Sequence, residues 1–198
     1  MSLLYQSIPI ELLGNMWHPL CMTVTEGVLS PAQLAERVRR LTERPAEWVA
    51  QVRLDAEGRW YERIHTTDEC WEMWLISWLP GQSTGFHDHG GSAGAFGVVW
   101  GDLHECVVPG PGQGAPASLR PRPHDRSGAA PGDTLIKRVS PGVVRTFGPR
   151  YVHDVRNTSE SSVAVSVHAY SPPLSEMTRY NLTPGGLVAV GTESETDW

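Results

Sequence analysis

From about residue 59 onward, apolar residues alternate with polar ones instead of recurring at every third or fourth position. RWYERIH (59–65), WEMWLISWL (71–79), FGVVW (96–100), DTLIKRV (133–139), VVRTF (143–147) and SVAVSVHAY (162–170) are rich in Val, Ile, Trp and Tyr. Such residues suit a pleated surface buried on at least one face. Gly or Pro-Gly punctuation separates several of them: Pro80-Gly81, Gly90-Gly91, Pro131-Gly132 and Pro141-Gly142. Short strands in succession, without intervening helices, predict an all-β sandwich or barrel. A helical period governs residues 27–52. Ser30 offers an N-cap ahead of Pro31, and Leu34, Val38 and Leu41 then recur along one face. Arg37, Arg39 and Arg40 read as the solvated side of that helix. Pro45 interrupts it, and Ala46–Val52 is expected to form a second short helix. The chain is expected to be one domain over 1–198. Residues 1–58 are a helical extension packed on the outside, 59–175 the barrel, and 176–198 a tail. Residues 109–132 carry no strand pattern and read as an exposed loop.

Gly and Pro together supply 36 of the 198 residues, which fits a chain that turns often and falls short of low complexity. The net charge of −6 argues against a broad basic surface, so neither nucleic acid nor an anionic membrane is an expected partner. An anionic substrate would need a local cationic clamp. The N-terminal stretch lacks a basic start and carries Glu11 among its apolar residues, unlike a signal peptide. No run reaches the roughly 20 apolar residues of a membrane span. Cys21, Cys70 and Cys106 are few, odd in number and widely spaced, which predicts buried inert thiols and a cytoplasmic protein.

His87 and His89 stand two apart on an extended segment, so both side chains share one face and could hold one metal ion, with Asp88 turned the other way. The surrounding spacing is Gly81, five residues, His87-x-His89, four residues, Gly94, six residues, Gly101. It resembles the first motif of the cupins, except that Gly94 stands where those proteins usually carry a glutamate ligand. Gly142 and His153-Asp-Val-Arg-Asn157 resemble the second cupin motif, with Gly148 and Arg150 replacing its usual proline and glycine. His153 would then be a third ligand. Three neutral imidazoles leave a divalent ion its full charge and open positions for substrate and O₂. The same ligand set also suits a hydrolytic zinc centre.

Further segments resemble the cysteine dioxygenase, or thiol dioxygenase, family. Tyr61-Glu62-Arg63 precedes the metal motif, as does Trp78. After His153 comes Ser166-Val-His168-Ala-Tyr170-Ser171-Pro172-Pro173, similar to the family's Ser-x-His-x-Tyr-Ser-Pro-Pro segment. The resemblance runs over about residues 30–175. It implies a small, jelly-roll-like cupin β-barrel and a non-haem enzyme with one Fe(II) per chain, O₂ as co-substrate and no organic cofactor. Under it, His87, His89 and His153 hold the iron. Arg63, supported by Tyr61, receives the substrate carboxylate, and Tyr170 faces the substrate with His168 and Ser166 behind it. The implied reaction adds both oxygen atoms of O₂ to the thiol of L-cysteine. The Ser171-Pro172 bond is expected to be cis.

Each residue also has a plainer reading: Arg63 as a strand-edge cation, Tyr61 and Trp78 as packing, His168 and Tyr170 as a structural pair. His18, His65, His104 and His124 show no ligand spacing. Some family members link an active-site cysteine to the tyrosine; here that stretch is Gly90–Gly94, without cysteine. Mercaptopropionate is the alternative substrate, with Arg150 or Arg179 as alternative clamps, although Arg63 favours cysteine. A metal-bearing cupin that only binds a ligand is the alternative from another class. A monomer is expected, with a dimer as the alternative.

Overall fold

The computed structural model describes residues 27–68, 70–108 and 134–196. The expected loop at 109–132, together with Cys21, His18 and His124, lies outside the described residues. Helix α1 (Pro31–Thr42) begins at Ser30, whose side chain accepts from the Gln33 N–H while the Gln33 side chain accepts from the Ser30 N–H. The helix expected over Ala46–Val52 is instead two single 3₁₀ turns, Pro45–Glu47 and Val49–Gln51. Pro45 removes a backbone donor, and the segment is too short to repay helix nucleation.

Eleven strands follow: β1 (Trp60–Asp68), β2 (Trp71–Trp78), β3 (Phe86–His87), β4 (Ala93–Trp100), β5 (Leu103–Val107), β6 (Leu135–Val139), β7 (Val144–Phe147), β8 (Asp154–Arg156), β9 (Ala164–Ser171), β10 (Glu176–Thr183) and β11 (Gly186–Ser194). One sheet has the order β1-β2-β9-β4-β7. Opposite it stand β11-β10-β3 and β6-β5-β8, joined by bridges at Ser83–Arg156 and His87–His153. Residues 176–194, expected as a tail, are therefore a hairpin that pairs with β3 through Arg179–His87 and Tyr180–Phe86. Asp88 pins the hairpin, accepting from Tyr180 Oη at 2.7 Å and the Thr178 N–H at 3.0 Å.

The central strands of the five-stranded sheet are buried on both faces. Val165, Val167 and Ala169 of β9 join Met73, Leu75 and Ala95 under Leu34 and Val38 of α1. Gly97 allows that approach, because a Cβ there would meet Val38 Cγ1 at 3.0 Å. The opposite face, carrying Trp78, Phe96, Val98, Phe147 and Tyr170, packs inside the barrel against Leu103, Tyr151 and Val155. The Ser171-Pro172 bond is cis, as expected. Among the described residues no helix is long and apolar enough to cross a membrane.

Candidate metal centre and substrate cavity

Mutual backbone hydrogen bonds set His87 opposite His153 (3.0 and 3.1 Å). Two residues on, His89 returns to the same side. The three rings form a near-equilateral triangle with centroids 4.9, 5.0 and 5.1 Å apart. One nitrogen from each lies within 4.8 Å of the others, and all three residues are buried.

The donor chemistry fits a metal. Burial, reinforced by the neighbouring imidazoles, holds His87 and His89 well below the ordinary histidine range, so both are neutral with a lone pair to offer. His87 Nδ1 lies 3.0 Å from the Gly85 carbonyl and His153 Nδ1 lies 2.9 Å from Glu105 Oε1. Each must donate there, which leaves Nε2 free to ligate. Both ring nitrogens of His89 are buried without a hydrogen-bond partner among the described residues. That arrangement is costly unless an ion satisfies one of them.

Two features of this wall lay outside the sequence reading. Glu105, on β5, is fully buried. It accepts from His153, from Tyr151 Oη at 3.1 Å and from Arg145 Nε at 2.7 Å. Burial acts to raise its carboxyl, but hydrogen bonding and electrostatic attraction from His153, and then from Arg145, prevail and hold it at about 2. The second feature is at Gly94, where a Cβ would coincide with the Phe147 ring. That ring stacks on His89 at 4.5 Å, so an aromatic face occupies the place left by the absent carboxylate. Gly94 is also directly opposite Tyr170 in the β4–β9 pairing.

Ser166, His168 and Tyr170 are brought into one chain: Ser166 Oγ lies 2.9 Å from His168 Nε2, and Tyr170 Oη lies 3.2 Å from His168 Nδ1. Its polarity follows from Trp78, whose indole N–H can only donate and does so to Ser166 Oγ at 2.9 Å. If His168 Nε2 carried the proton, the buried Ser166 hydroxyl would have no acceptor among the described residues. The hydroxyl therefore donates to Nε2, and His168 Nδ1–H donates to Tyr170. Tyr170 keeps its own proton for the cavity. Burial, with His153 and Arg59 nearby, lowers His168 to about 3 and keeps it neutral in this role.

A cavity of about 230 Å³ opens onto His87, His153 and Tyr170, and Tyr61 and Arg59 also line it. This is below the roughly 300 Å³ at which drug-sized pockets begin, so it suits a small metabolite. Arg63 does not line it. Its side chain is 47% exposed and lies 3.5 Å from the buried Glu72 carboxylate. The β1–β2 register sets Arg63 across from Trp74, next to a bulge, while Arg59 precedes the strand and lies 5.4 Å over the Trp78 ring. Burial, then the nearby Arg179 charge, lowers the Arg59 pKa. Among the described residues Arg59 has no ion-pair partner. Arg179 also lines the cavity and donates to Glu193. Among the remaining residues singled out by the sequence, His104 bonds Thr158 at 2.8 Å. Cys106 is buried, whereas Cys70 is only half-buried, less enclosed than expected.

A barrel of facing antiparallel sheets with a three-histidine cluster at its open end is a cupin. The chain belongs to the cysteine dioxygenase type I family, whose profile matches residues 20–183. A curated zebrafish (Danio rerio) protein, cysteine dioxygenase type 1, is 22% identical over 155 residues, covering 76% of this chain and 71% of its own. Among solved structures, a Thermus thermophilus protein superposes with TM-score 0.46 at 19% identity, over 63% of this chain and 93% of that one. A Klebsiella pneumoniae protein described as having a double-stranded β-helix domain gives TM-score 0.46 at 13% identity, over 72% and 93%.

Proposed function

We propose that this chain is a non-haem Fe(II) thiol dioxygenase converting L-cysteine and O₂ to cysteine sulfinate. The reading is carried by one convergence: the three-imidazole cluster, through His87 and His153, the free proton of Tyr170 and the Arg59 guanidinium, unpaired among the described residues, meet at one small cavity. The overall change is R–S⁻ + O₂ → R–SO₂⁻. Sulfur loses four electrons, O₂ gains them, and no external reductant is needed.

His87 and His153, through Nε2, and His89 would hold the ferrous ion. When bound, that ion activates O₂ and acidifies the thiol. Arg59, in place of Arg63, receives the substrate carboxylate, a task suited to a planar and permanently charged fork. Tyr61, beside it on the wall, orients that end. Tyr170 donates its hydroxyl proton towards the substrate. His168, Ser166 and Trp78 hold that hydroxyl in one orientation, so no reorganisation is needed as charge develops. Trp74, Ile76, Leu174 and Met177 line the remaining wall and exclude water.

The test is O₂ uptake by the iron-loaded protein with L-cysteine, with sulfinate quantified by mass spectrometry. The expected result is one sulfinate per O₂ consumed and loss of turnover in His89→Ala. O₂ consumption indifferent to thiol, or turnover without O₂ as a zinc hydrolase would show, overturns the reading. A second small thiol acid, mercaptopropionate, is kept as the alternative substrate because it offers the same single carboxylate to Arg59 at the cavity.

A further inference from the structure

Three charged side chains line the cavity: Arg59, Arg179 and Glu193. They are not equivalent. Glu193 reaches across from β11, where its register partner is Met177, to Arg179 two positions on in β10. Such diagonal neighbours are within reach of long side chains. One carboxylate oxygen, Oε2, takes both Arg179 Nε at 2.8 Å and Arg179 Nη2 at 2.5 Å. Arg179 Nη1 donates to the Thr84 carbonyl at 3.2 Å, so the guanidinium is held from two sides. Arg59 has no such partner among the described residues. The charged wall thus carries one unpaired positive charge, although two arginines face it.

We propose that Glu193 sets the charge class of the substrate: by occupying Arg179 it restricts the cavity to thiols carrying a single carboxylate, which Arg59 receives. This rests on the thiol reading above and deepens it. Glu193 stands on β11, beyond residue 183, where the match to the family profile ends. At 37% side-chain exposure it sits at the solvent side of the cavity, where an entering anion meets it early. A thiol with two carboxylates would have to displace Glu193 from Arg179, or bring its second charge against an already neutralised pair. Glu193 acts through Arg179 and is a positioning residue.

The experiment compares L-cysteine, 3-mercaptopropionate and mercaptosuccinate on the iron-loaded wild type, Glu193→Gln and the double variant Glu193→Gln/Arg179→Gln. O₂ uptake gives KM and kcat separately. Anaerobic titration calorimetry with succinate and propionate reads charge selection without turnover. The wild type is expected to favour the monocarboxylate thiols. Glu193→Gln should lower KM for mercaptosuccinate relative to 3-mercaptopropionate about tenfold, the worth of one charge-assisted hydrogen bond. The change should sit in KM rather than kcat, and succinate binding should tighten in parallel. The double variant should lose the gain. A merely structural role would weaken all ligands together, so a ratio within twofold of wild type in Glu193→Gln overturns the proposal, as does a wild type that already prefers mercaptosuccinate. Absence of thiol-dependent O₂ uptake in the wild type refutes the thiol reading instead, and the calorimetric comparison still decides the role of Glu193.

Discussion

Glu105 does two jobs that one substitution can separate. Its carboxylate orients His153, leaving Nε2 towards the metal position, and it neutralises Arg145, whose side chain is only 13% exposed. The first job bears on metal affinity, and both bear on stability. A carboxyl held at about 2, against 4.5 for the ordinary side chain, corresponds to about 3 kcal/mol of stabilisation in the folded state. That agrees with the roughly 3–5 kcal/mol expected when one partner of a buried ion pair is removed. For a domain of this size it amounts to a fall in Tm of about 6–20 °C. Loss of an outer partner to a ligating histidine typically costs about 10–100-fold in metal affinity.

Glu105→Ala removes both functions and should show both losses. Glu105→Gln keeps a carbonyl for His153 Nδ1–H but turns an amide N–H₂ or an uncharged oxygen towards Arg145. It should lose most of the stability and little of the affinity. Urea unfolding of the metal-free protein measures the first, and anaerobic competition for Fe(II) against a chromophoric chelator measures the second. The argument fails if Glu105→Ala binds iron within twofold of wild type, because His153 would then need no orienting partner. It fails equally if Glu105→Gln loses as much affinity as Glu105→Ala. The sign of the pH dependence is fixed too. The carboxyl is depressed on folding, so its stabilisation is present above about pH 4.5 and is lost as the pH falls towards 2.

Arg59→Gln should raise KM for cysteine at least tenfold in steady-state O₂ uptake, while Arg63→Gln leaves KM within about twofold; the reverse pattern would return the clamp to Arg63. Gly94→Cys should not yield a thioether to Tyr170 by peptide mass spectrometry. It should instead destabilise the protein by about 1–3 kcal/mol in urea, because the new Cβ must displace the Phe147 ring from His89. Trp78→Phe keeps the ring but removes the N–H that polarises the Ser166–His168–Tyr170 chain. It should lower kcat with KM and iron content nearly unchanged, and a kcat equal to wild type would show that the chain's polarity is set elsewhere.

Period and spacing alone made part of this site legible. Alternation along β9 put Ser166, His168 and Tyr170 on one face, and the His87-x-His89 spacing put two imidazoles side by side. What stayed hidden was set by distant partners. Arg59, Tyr61 and Arg63 alternate identically, so period cannot say which arginine faces the cavity. The answer lies in the β1–β2 register and in Glu72, a buried carboxylate that draws Arg63 away. Glu105 sits in LHECV, too short a segment to show a pattern, and its importance appears only when β5 meets β8. The spacing did reveal a missing ligand at Gly94, but the aromatic ring filling the gap arrives from β7. The β10–β11 hairpin carries a readable turn signal, Thr183-Pro-Gly-Gly186 between two alternating runs, although residues 176–198 are expected above as a tail.

The helix has a part in the chemistry although none of its residues reaches the cavity. Every residue of β9 is buried, yet the face turned into the barrel is polar and must hold a hydrogen-bonded chain in one geometry. A strand with a polar inner face gains little from hydrophobic burial there. Its register must be set from the other side, where Val165, Val167 and Ala169 lie under Leu34, Val38 and Leu41. Because the strand period is two, a slip of one residue would turn valines towards the metal and send Ser166, His168 and Tyr170 under the helix. That alternative would bury three polar side chains without partners, each costing about 1–3 kcal/mol, and would strip α1 of its apolar contact. Packing against the outer helix and hydrogen bonding in the inner chain therefore select the same register, and the Tyr170 hydroxyl is placed by both together.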